Sequence, residues 1–138
     1  MKDFTINNCK LINLKKSLST GSFITPINNN VEIPFDINRV YFLYDIPKGA
    51  DRGGHAHYKL QQLIIAISGS FSITIDDGHK RKKIILNNAS KGLYISPGIW
   101  RDLTDFSSDS VCLVLASMNY EEIDYIRNYD SFKLFKNV

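Results

Sequence analysis

Residues 52–70, RGGHAHYKLQQLIIAISGS, contain two of the three histidines in the chain. His55 and His57 are separated by one residue, and side chains alternate between the two faces of a strand. A strand here therefore places both imidazoles on the same face. Two neighbouring imidazoles can hold a metal ion or transfer protons, so this segment bears on function as well as on fold.

The length of the chain, 138 residues, is typical of one domain, and its 43% hydrophobic and 22% charged residues are ordinary for a globular protein. We therefore expect a single domain spanning residues 1–138. The net charge is only +3, and the one basic cluster, residues 80–83, follows a turn signal. We expect this cluster to be the solvated end of a hairpin, so nucleic acid is not an expected partner.

The sequence contains few features that indicate the cellular compartment of the protein. No segment approaches the ~18 apolar residues that a membrane span requires. The opening residues, MKDFTINN, lack the apolar core of a signal peptide. Cys9 and Cys112 lie far apart and form no C-x-x-C motif. We therefore expect a cytoplasmic protein that has no membrane association.

Short apolar runs alternate with turn residues along most of the chain, which predicts an all-β sandwich or barrel. Asp77-Gly78, between SITI and KKII, is a hairpin signal. In the tail, Ile123, Ile126 and Tyr129 recur at helical spacing, which predicts one C-terminal helix or helical turn. The predicted strands are 9–14, 21–27, 40–44, 62–68, 70–76, 82–87, 92–96 and 111–117.

Residues 49–69 have the spacing G-x5-H-x-H-x4-Q-x6-G, which resembles the first motif of the cupin superfamily of small double-stranded β-barrels. The sequence departs from that motif at Gln62, where metal-binding cupins have glutamate. Their second motif adds a histidine after a Pro-Gly turn, whereas the matching segment here, residues 94–102, contains none.

These departures argue against a metal site. A catalytic zinc usually has three protein ligands, and His55 and His57 supply two. Gln62 is a neutral, weaker ligand, and Arg101 is a cation that repels a metal ion. His79 lies in the predicted hairpin turn, far from the barrel interior. We therefore expect no metal and no cofactor, with a metal-dependent cupin enzyme as the alternative.

Over nearly the whole chain, the sequence resembles the sugar nucleotide 3,4-ketoisomerases, which are cupins acting on dTDP-4-oxo-6-deoxy-D-glucose. This resemblance implies a jelly-roll barrel with a short C-terminal helix, and a role in making 3-amino-3,6-dideoxyhexoses for bacterial surface polysaccharides. It also implies no metal, and a homodimer with exchanged N-terminal strands. The segments that carry it are 33–47, 52–62, 69–78, 92–117 and 120–132.

The resemblance also implies roles for particular residues. Related 3,5-epimerases share an Arg-Gly-x-His element, which supports Arg52 as an anchor for the substrate and His55 and His57 as an acid/base pair. We favour His57 as the base and His55 as its partner, with the reverse order open. Tyr41 is a candidate acid for returning a proton to C4; a packing role for Tyr41, or Tyr44 as the acid, is the alternative.

Further residues are expected to bind substrate. Arg39 and Arg52 are candidates for the diphosphate, because forked guanidinium donors match phosphate oxygens. A solvated charge at the end of a strand is the alternative for Arg39. Gln62 and Arg101 complete the set, together with Trp100, which either stacks on the sugar or thymine or packs at the barrel rim. Family members that form the galacto product tend to carry histidine after this tryptophan. Arg101 therefore favours the gluco product.

Three other functions stay open at this point. A 3,5-epimerase would act on the same sugar nucleotide, and a metal-dependent cupin would use the histidines as ligands. A sugar-binding barrel without catalytic activity would use them only as hydrogen-bonding groups.

Overall fold

The computed structural model describes residues 3–138 and contains two five-stranded antiparallel sheets and a separate two-stranded hairpin. Short 3-10 helices span Ile6–Asn8 and Glu122–Asp124. The other elements are β1 (Lys10–Asn13), β2 (Ser17–Ser19), β3 (Ser22–Ile24), β4 (Arg39–Leu43), β5 (Arg52–His57), β6 (Gln62–Ser68), β7 (Phe71–Asp76), β8 (Arg81–Leu86), β9 (Lys91–Ile95), β10 (Trp100–Thr104), β11 (Val111–Ala116), β12 (Tyr125–Ile126) and α1 (Tyr129–Lys136).

The first sheet has the order β1-β9-β6-β11-β4, and the second has the order β12-β5-β10-β7-β8. The hairpin consists of β2 and β3. The two large sheets face each other across a common apolar core. This arrangement confirms the expected all-β jelly roll with one short C-terminal helix.

Strand β6 shows why its sequence is a continuous apolar run. Ile64 and Ala66 point into the core between the sheets. Leu63 and Ile65 point to the opposite face, where the N-terminal segment around Phe35 covers them. Because both faces of the strand are buried, the usual alternation of apolar and polar residues is lost.

A third apolar cluster covers the outer face of the second sheet. Ala56 of β5 and Trp100 of β10 pack there against Ile126 and Phe132 of the C-terminal segment. Since side chains alternate along β10, Arg101 points the other way, into the space between the sheets. The C-terminal segment therefore supports the histidine strand from behind.

All eight predicted strands are present, although several begin or end at a different residue. The Asp77-Gly78 hairpin signal is confirmed, because β7 and β8 pair antiparallel with Asp76 opposite Arg81. Strands β2, β10 and β12 were not predicted, since they are short or carry charged residues. None of the helices in residues 3–138 has the length and apolar character needed to cross a bilayer.

The expected C-terminal helix is present, but it begins later than the spacing of Ile123, Ile126 and Tyr129 suggests, and only a 3-10 turn forms at Glu122–Asp124. The segment before α1 is drawn inward, because the Asp124 carboxylate accepts hydrogen bonds from the backbone N–H groups of Lys59 and Leu60. The following residues form β12, which pairs with β5. The helix then begins after Asn128, whose side chain caps it.

The cluster behind the histidine strand makes a stability prediction. Phe132→Ala removes a side chain that is 0% exposed, and we expect it to lower the free energy of unfolding by about 3–5 kcal/mol. Leu134→Ala, on the same helix but 77% exposed, is the matched control and should change it by less than about 0.5 kcal/mol. Urea unfolding measures both variants; equal losses would contradict the packing role of Phe132.

Candidate active site

A cavity of about 150 Å³ lies between the two sheets, beside the histidine strand. Five of the eight side chains that the sequence analysis singled out line this cavity, and the remaining side chains of its wall are apolar. These five come from β4, β5, β6 and β10, and they are Tyr41, Arg52, His55, Gln62 and Arg101. His57, Arg39 and Trp100 do not line this cavity.

The two histidines lie together on β5. Their ring centroids are 4.8 Å apart and the rings meet edge to face. His55 is partly exposed and lines the cavity, whereas His57 is 1% exposed and lies behind it. The ring of Tyr125 packs against both, with centroid distances of 5.0 Å to His55 and 4.3 Å to His57.

The partners of the two imidazoles determine where their protons are. Nδ1 of His55 lies 3.0 Å from the carbonyl oxygen of Gly53, and Nδ1 of His57 lies 3.2 Å from Oδ2 of Asp124. A carbonyl or a carboxylate only accepts, so both neutral rings carry their proton on Nδ1. Both Nε2 atoms are therefore left with a lone pair. Nε2 of His57 is buried and has no hydrogen-bond partner among residues 3–138.

The electrostatics of the site keep the histidines neutral. Burial, followed by the charge of Arg101, lowers the pKa of His55 to about 4. The same two causes lower the pKa of His57, while the nearby carboxylate of Asp124 acts in the opposite direction. A neutral imidazole with a free lone pair can accept a proton at pH 7.

Sequence reasoning gave no role to Asp124 and Tyr125. The Asp124 carboxylate is held in place by the backbone N–H groups of Lys59 and Leu60, at 2.8 Å and 3.1 Å. It thereby orients the imidazole of His57. Both residues belong to the tail motif that carries the family resemblance, but nothing local to that motif indicates contact with the histidines.

A chain of hydrogen bonds runs along the cavity wall from Arg101 to Tyr41. The Arg101 guanidinium is 1% exposed, and it donates to the carbonyl of Ile99 and, over 2.5 Å, to Oε1 of Gln62. Nε2 of Gln62 donates to the hydroxyl of Tyr41 over 3.0 Å. Burial lowers the pKa of Arg101 to about 10, so it stays charged at pH 7, and burial raises the pKa of Tyr41.

The two arginines expected to bind diphosphate occupy different positions. Arg52 is exposed and lines the cavity at the beginning of β5. Arg39 lies between two aromatic rings, with its Cζ 5.1 Å from the centroid of Tyr41 and 5.7 Å from that of Tyr120. Its Nε is buried and has no hydrogen-bond partner in the described part of the chain.

The position of Trp100 differs from the expectation that it binds substrate. It does not face the cavity but packs on the outer side of the second sheet, 5.2 Å from the ring of Tyr129 and 5.7 Å from that of Phe132. Its indole N–H donates to Asp102. The alternation along β10 gives the reason, since Arg101 takes the inward position and Trp100 the outward one. The structure therefore assigns Trp100 to packing, which was the alternative reading of this residue.

The donor set does not fit a metal ion. No three side chains of the His, Cys, Asp or Glu type converge anywhere in residues 3–138. His79 is exposed in the loop between β7 and β8 and does not line the cavity. The buried cation of Arg101 lies in the wall of the same cavity as His55, where it would repel a second positive charge.

Similar proteins share this architecture. A curated relative, the TDP-4-oxo-6-deoxy-alpha-D-glucose-3,4-oxoisomerase of Aneurinibacillus thermoaerophilus, is 44% identical over 126 residues, which are 91% of each chain. The crystal structure of QdtA, a sugar 3,4-ketoisomerase from Thermoanaerobacterium thermosaccharolyticum in complex with TDP, has a TM-score of 0.89 with 44% identity over 93% of both chains. The WlaRB TDP-quinovose 3,4-ketoisomerase of Campylobacter jejuni has a TM-score of 0.89 with 43% identity, and 92% of this chain and 98% of that one are covered.

These proteins resemble the present chain along almost its full length. The family model described as "FdtA: WxcM-like, C-terminal" matches residues 7–137. The chain therefore belongs to the FdtA family.

Proposed function

We propose that this chain is a sugar nucleotide 3,4-ketoisomerase, which converts dTDP-4-oxo-6-deoxy-D-glucose to dTDP-3-oxo-6-deoxy-D-glucose. The observation that supports it best is the neutral imidazole of His55, which lines a cavity that Tyr41 also lines. The names of the relatives support the substrate. The 3-oxo product suits later amination at C3, on the way to 3-amino-3,6-dideoxy sugars of surface glycans.

The reaction moves a carbonyl group from C4 to C3 without net oxidation. A base removes the proton from C3, and the C3–H electron pair becomes the double bond of an enediolate. The acid then gives a proton to C4, the hydroxyl proton moves from O3 to O4, and the base returns its proton to the acid through solvent. General-base catalysis supplies roughly 10²–10⁴ in rate, and each donor to the developing oxyanion roughly 10²–10³.

The structure changes our preference for the base. The sequence favoured His57, but His57 is buried behind His55 and is absent from the cavity wall. We therefore assign the base to His55, whose Nε2 carries the lone pair. His57 is its partner, and its buried, unpartnered Nε2 is the group left to accept a hydrogen bond from a substrate hydroxyl.

The acid is Tyr41, on the opposite sheet from the histidines. Its hydroxyl accepts from Gln62, and the residue lines the cavity. Because burial raises its pKa, the phenol keeps its proton at neutral pH. Tyr44, the competing candidate, is 62% exposed and is not part of the cavity wall.

Arg52 is the residue that we assign to the diphosphate, because it combines exposure with a place in the cavity wall. Arg39 lies at the neighbouring edge of the first sheet and is the second candidate. Arg101 is too deeply buried to meet a diphosphate, and it belongs to the sugar end of the cavity.

The reaction needs no metal ion in this proposal. His55 and His57 each use Nδ1 for an internal hydrogen bond, and the nearby Arg101 charge disfavours a bound cation. The gluco configuration at C4 is the proposed outcome, because the residue after Trp100 is arginine. Relatives named for TDP-quinovose and for TDP-fucose are 43% and 39% identical to the chain, so this assignment rests on Arg101.

The assembly that we propose is a homodimer with exchanged N-terminal strands. The hairpin of β2 and β3 exposes Leu18, Phe23 and Ile24, an unusually apolar surface for a small hairpin. Strand β4 is an edge of the first sheet, and its outward side chains, such as Phe42, are also exposed. A second copy would cover both surfaces and would complete the open edge.

The compartment that we propose is the cytoplasm. Cys9 and Cys112 are both free thiols, and Cys112 is buried in β11. Free thiols are typical of proteins kept in a reducing compartment.

The first prediction concerns activity without metal. Purified protein treated with EDTA should convert dTDP-4-oxo-6-deoxy-D-glucose to the 3-oxo isomer with the gluco configuration at C4, because the two histidines and Tyr41 supply the proton transfers. Proton NMR in D₂O measures the ketone position, the C4 configuration and the sites of exchange. Activity that EDTA abolishes and a divalent metal restores would support the metal-dependent alternative. Deuterium at C5 with the ketone still at C4 would indicate a 3,5-epimerase, and binding without any exchange would indicate a sugar-binding protein.

The second prediction concerns the base. His55→Asn should lower kcat by roughly 10²–10⁴-fold and should abolish exchange of the C3 proton with solvent, because asparagine is not basic. TDP binding, measured by calorimetry, should persist. His79→Asn, in the exposed loop, is the matched control and should leave kcat unchanged. If His57→Asn abolishes C3 exchange while His55→Asn retains it, the base is His57 instead.

The third prediction concerns the assembly. The protein should sediment as a dimer, and Phe23→Ser should shift it towards monomer because Phe23, 57% exposed in one copy, would be covered by the other. Ile85→Ser is the matched control, since Ile85 is similarly exposed, at 64%, but lies on β8 of the second sheet. Analytical ultracentrifugation gives the masses. A monomeric starting protein, or equal shifts in both variants, would contradict the exchanged hairpin.

A further inference from the structure

The direction of one hydrogen bond decides whether Tyr41 can act as an acid. We infer that Gln62 is a positioning residue for this step: it donates an N–H to the Tyr41 oxygen and leaves the hydroxyl proton of Tyr41 free to enter the cavity. This inference rests on the proposed ketoisomerase function and adds a role for a residue that does not itself exchange protons.

The orientation of the Gln62 amide follows from its other neighbour. Arg101 has only donors, so the amide atom that faces it must be the oxygen. Nη1 of Arg101 lies 2.5 Å from that oxygen. The NH₂ group must then face the other way, where the Tyr41 hydroxyl oxygen lies 3.0 Å away. Gln62 is 2% exposed, so bulk water does not compete for either bond.

The consequence appears at Tyr41. Its oxygen accepts a hydrogen bond from the Gln62 amide, so its own O–H must point elsewhere. Within residues 3–138 the Tyr41 hydroxyl donates to no acceptor, and the residue lines the cavity. The hydroxyl proton of Tyr41 is therefore available for a hydrogen bond to a molecule bound in the cavity. Arg101 fixes this direction firmly, because two further hydrogen bonds to the Ile99 carbonyl hold its guanidinium in place.

The same geometry explains what glutamate would do at position 62. A carboxylate has only acceptors, so it would accept from Arg101 and from the Tyr41 hydroxyl at the same time. The hydrogen bond to Tyr41 would then reverse, and the proton that C4 needs would be held by the carboxylate. Glutamate is nearly isosteric with glutamine and would be paired with Arg101, so the barrel should still fold.

The test compares two rates in D₂O, the exchange of the C3 proton and the formation of the 3-oxo product. Gln62→Glu should slow product formation by roughly 10²-fold or more while C3 exchange, which depends on His55, continues at nearly the wild-type rate. Gln62→Met removes the hydrogen bond without reversing it, so its product formation should lie between those of wild type and Gln62→Glu. A residue that served only for packing would give the opposite order, since glutamate preserves shape better than methionine.

Gln61→Glu is the matched control. Oε1 of Gln61 accepts from the Tyr94 hydroxyl over 2.7 Å, and a carboxylate can accept the same bond, so both rates should stay at the wild-type value. Thermal melts establish that each variant is folded. If Gln62→Glu does not fold, Gln62→Met and Tyr41→Phe test the same point, since C3 exchange should outlast product formation in both.

The outcomes distinguish failure of the proposed ketoisomerase function from failure of the proposed role of Gln62. Wild-type protein that forms no 3-oxo product refutes the proposed function, whatever the variants do. If wild type is active, wild-type product formation in Gln62→Glu overturns the role of Gln62. An equal loss of C3 exchange and product formation in the folded Gln62 variants overturns it as well, because Gln62 would then act on the base and not on the acid.

Discussion

The cavity depends on one buried positive charge, the guanidinium of Arg101. Removing a cation from water is costly unless hydrogen bonds replace its hydration. Here the replacements are neutral oxygens, from the Ile99 carbonyl and the Gln62 amide. No carboxylate neutralises the charge through these hydrogen bonds, so its electric field reaches the other groups around the cavity. It helps to lower the pKa of both histidines, and it makes the cavity unfavourable for a second cation.

The charge stays in place because both faces of the second sheet are packed. Strand β10 sends Arg101 inward and Trp100 outward, and the outward side is sealed by α1 and β12. This packing also brings Asp124 against His57 and Tyr125 against both imidazoles. The C-terminal segment thus stabilises the barrel and orients the histidines with the same few contacts.

The sequence predicts the parts of the site that depend on local spacing. The His-x-His repeat predicts two imidazoles on one face of a strand, and the two rings lie 4.8 Å apart on β5. Asp124 could not be found in this way, since it lies 67 residues from His57 and reaches it only through folding. Trp100 takes the outward position on β10, and the sequence alone does not show that the C-terminal segment covers that face.

The positions of the protons around the cavity follow from whether each hydrogen-bond partner can only donate or only accept. On β5, the partners of the histidines are a carbonyl and a carboxylate, which only accept, so lone pairs remain on Nε2. Across the cavity, Arg101 only donates, so the Gln62 amide turns its N–H towards Tyr41, and the proton of Tyr41 remains available. One sheet therefore presents a proton acceptor and the other a proton donor. In the proposed reaction, neither series of hydrogen bonds has to change before a sugar binds, so the fold itself would orient the proposed acid and base.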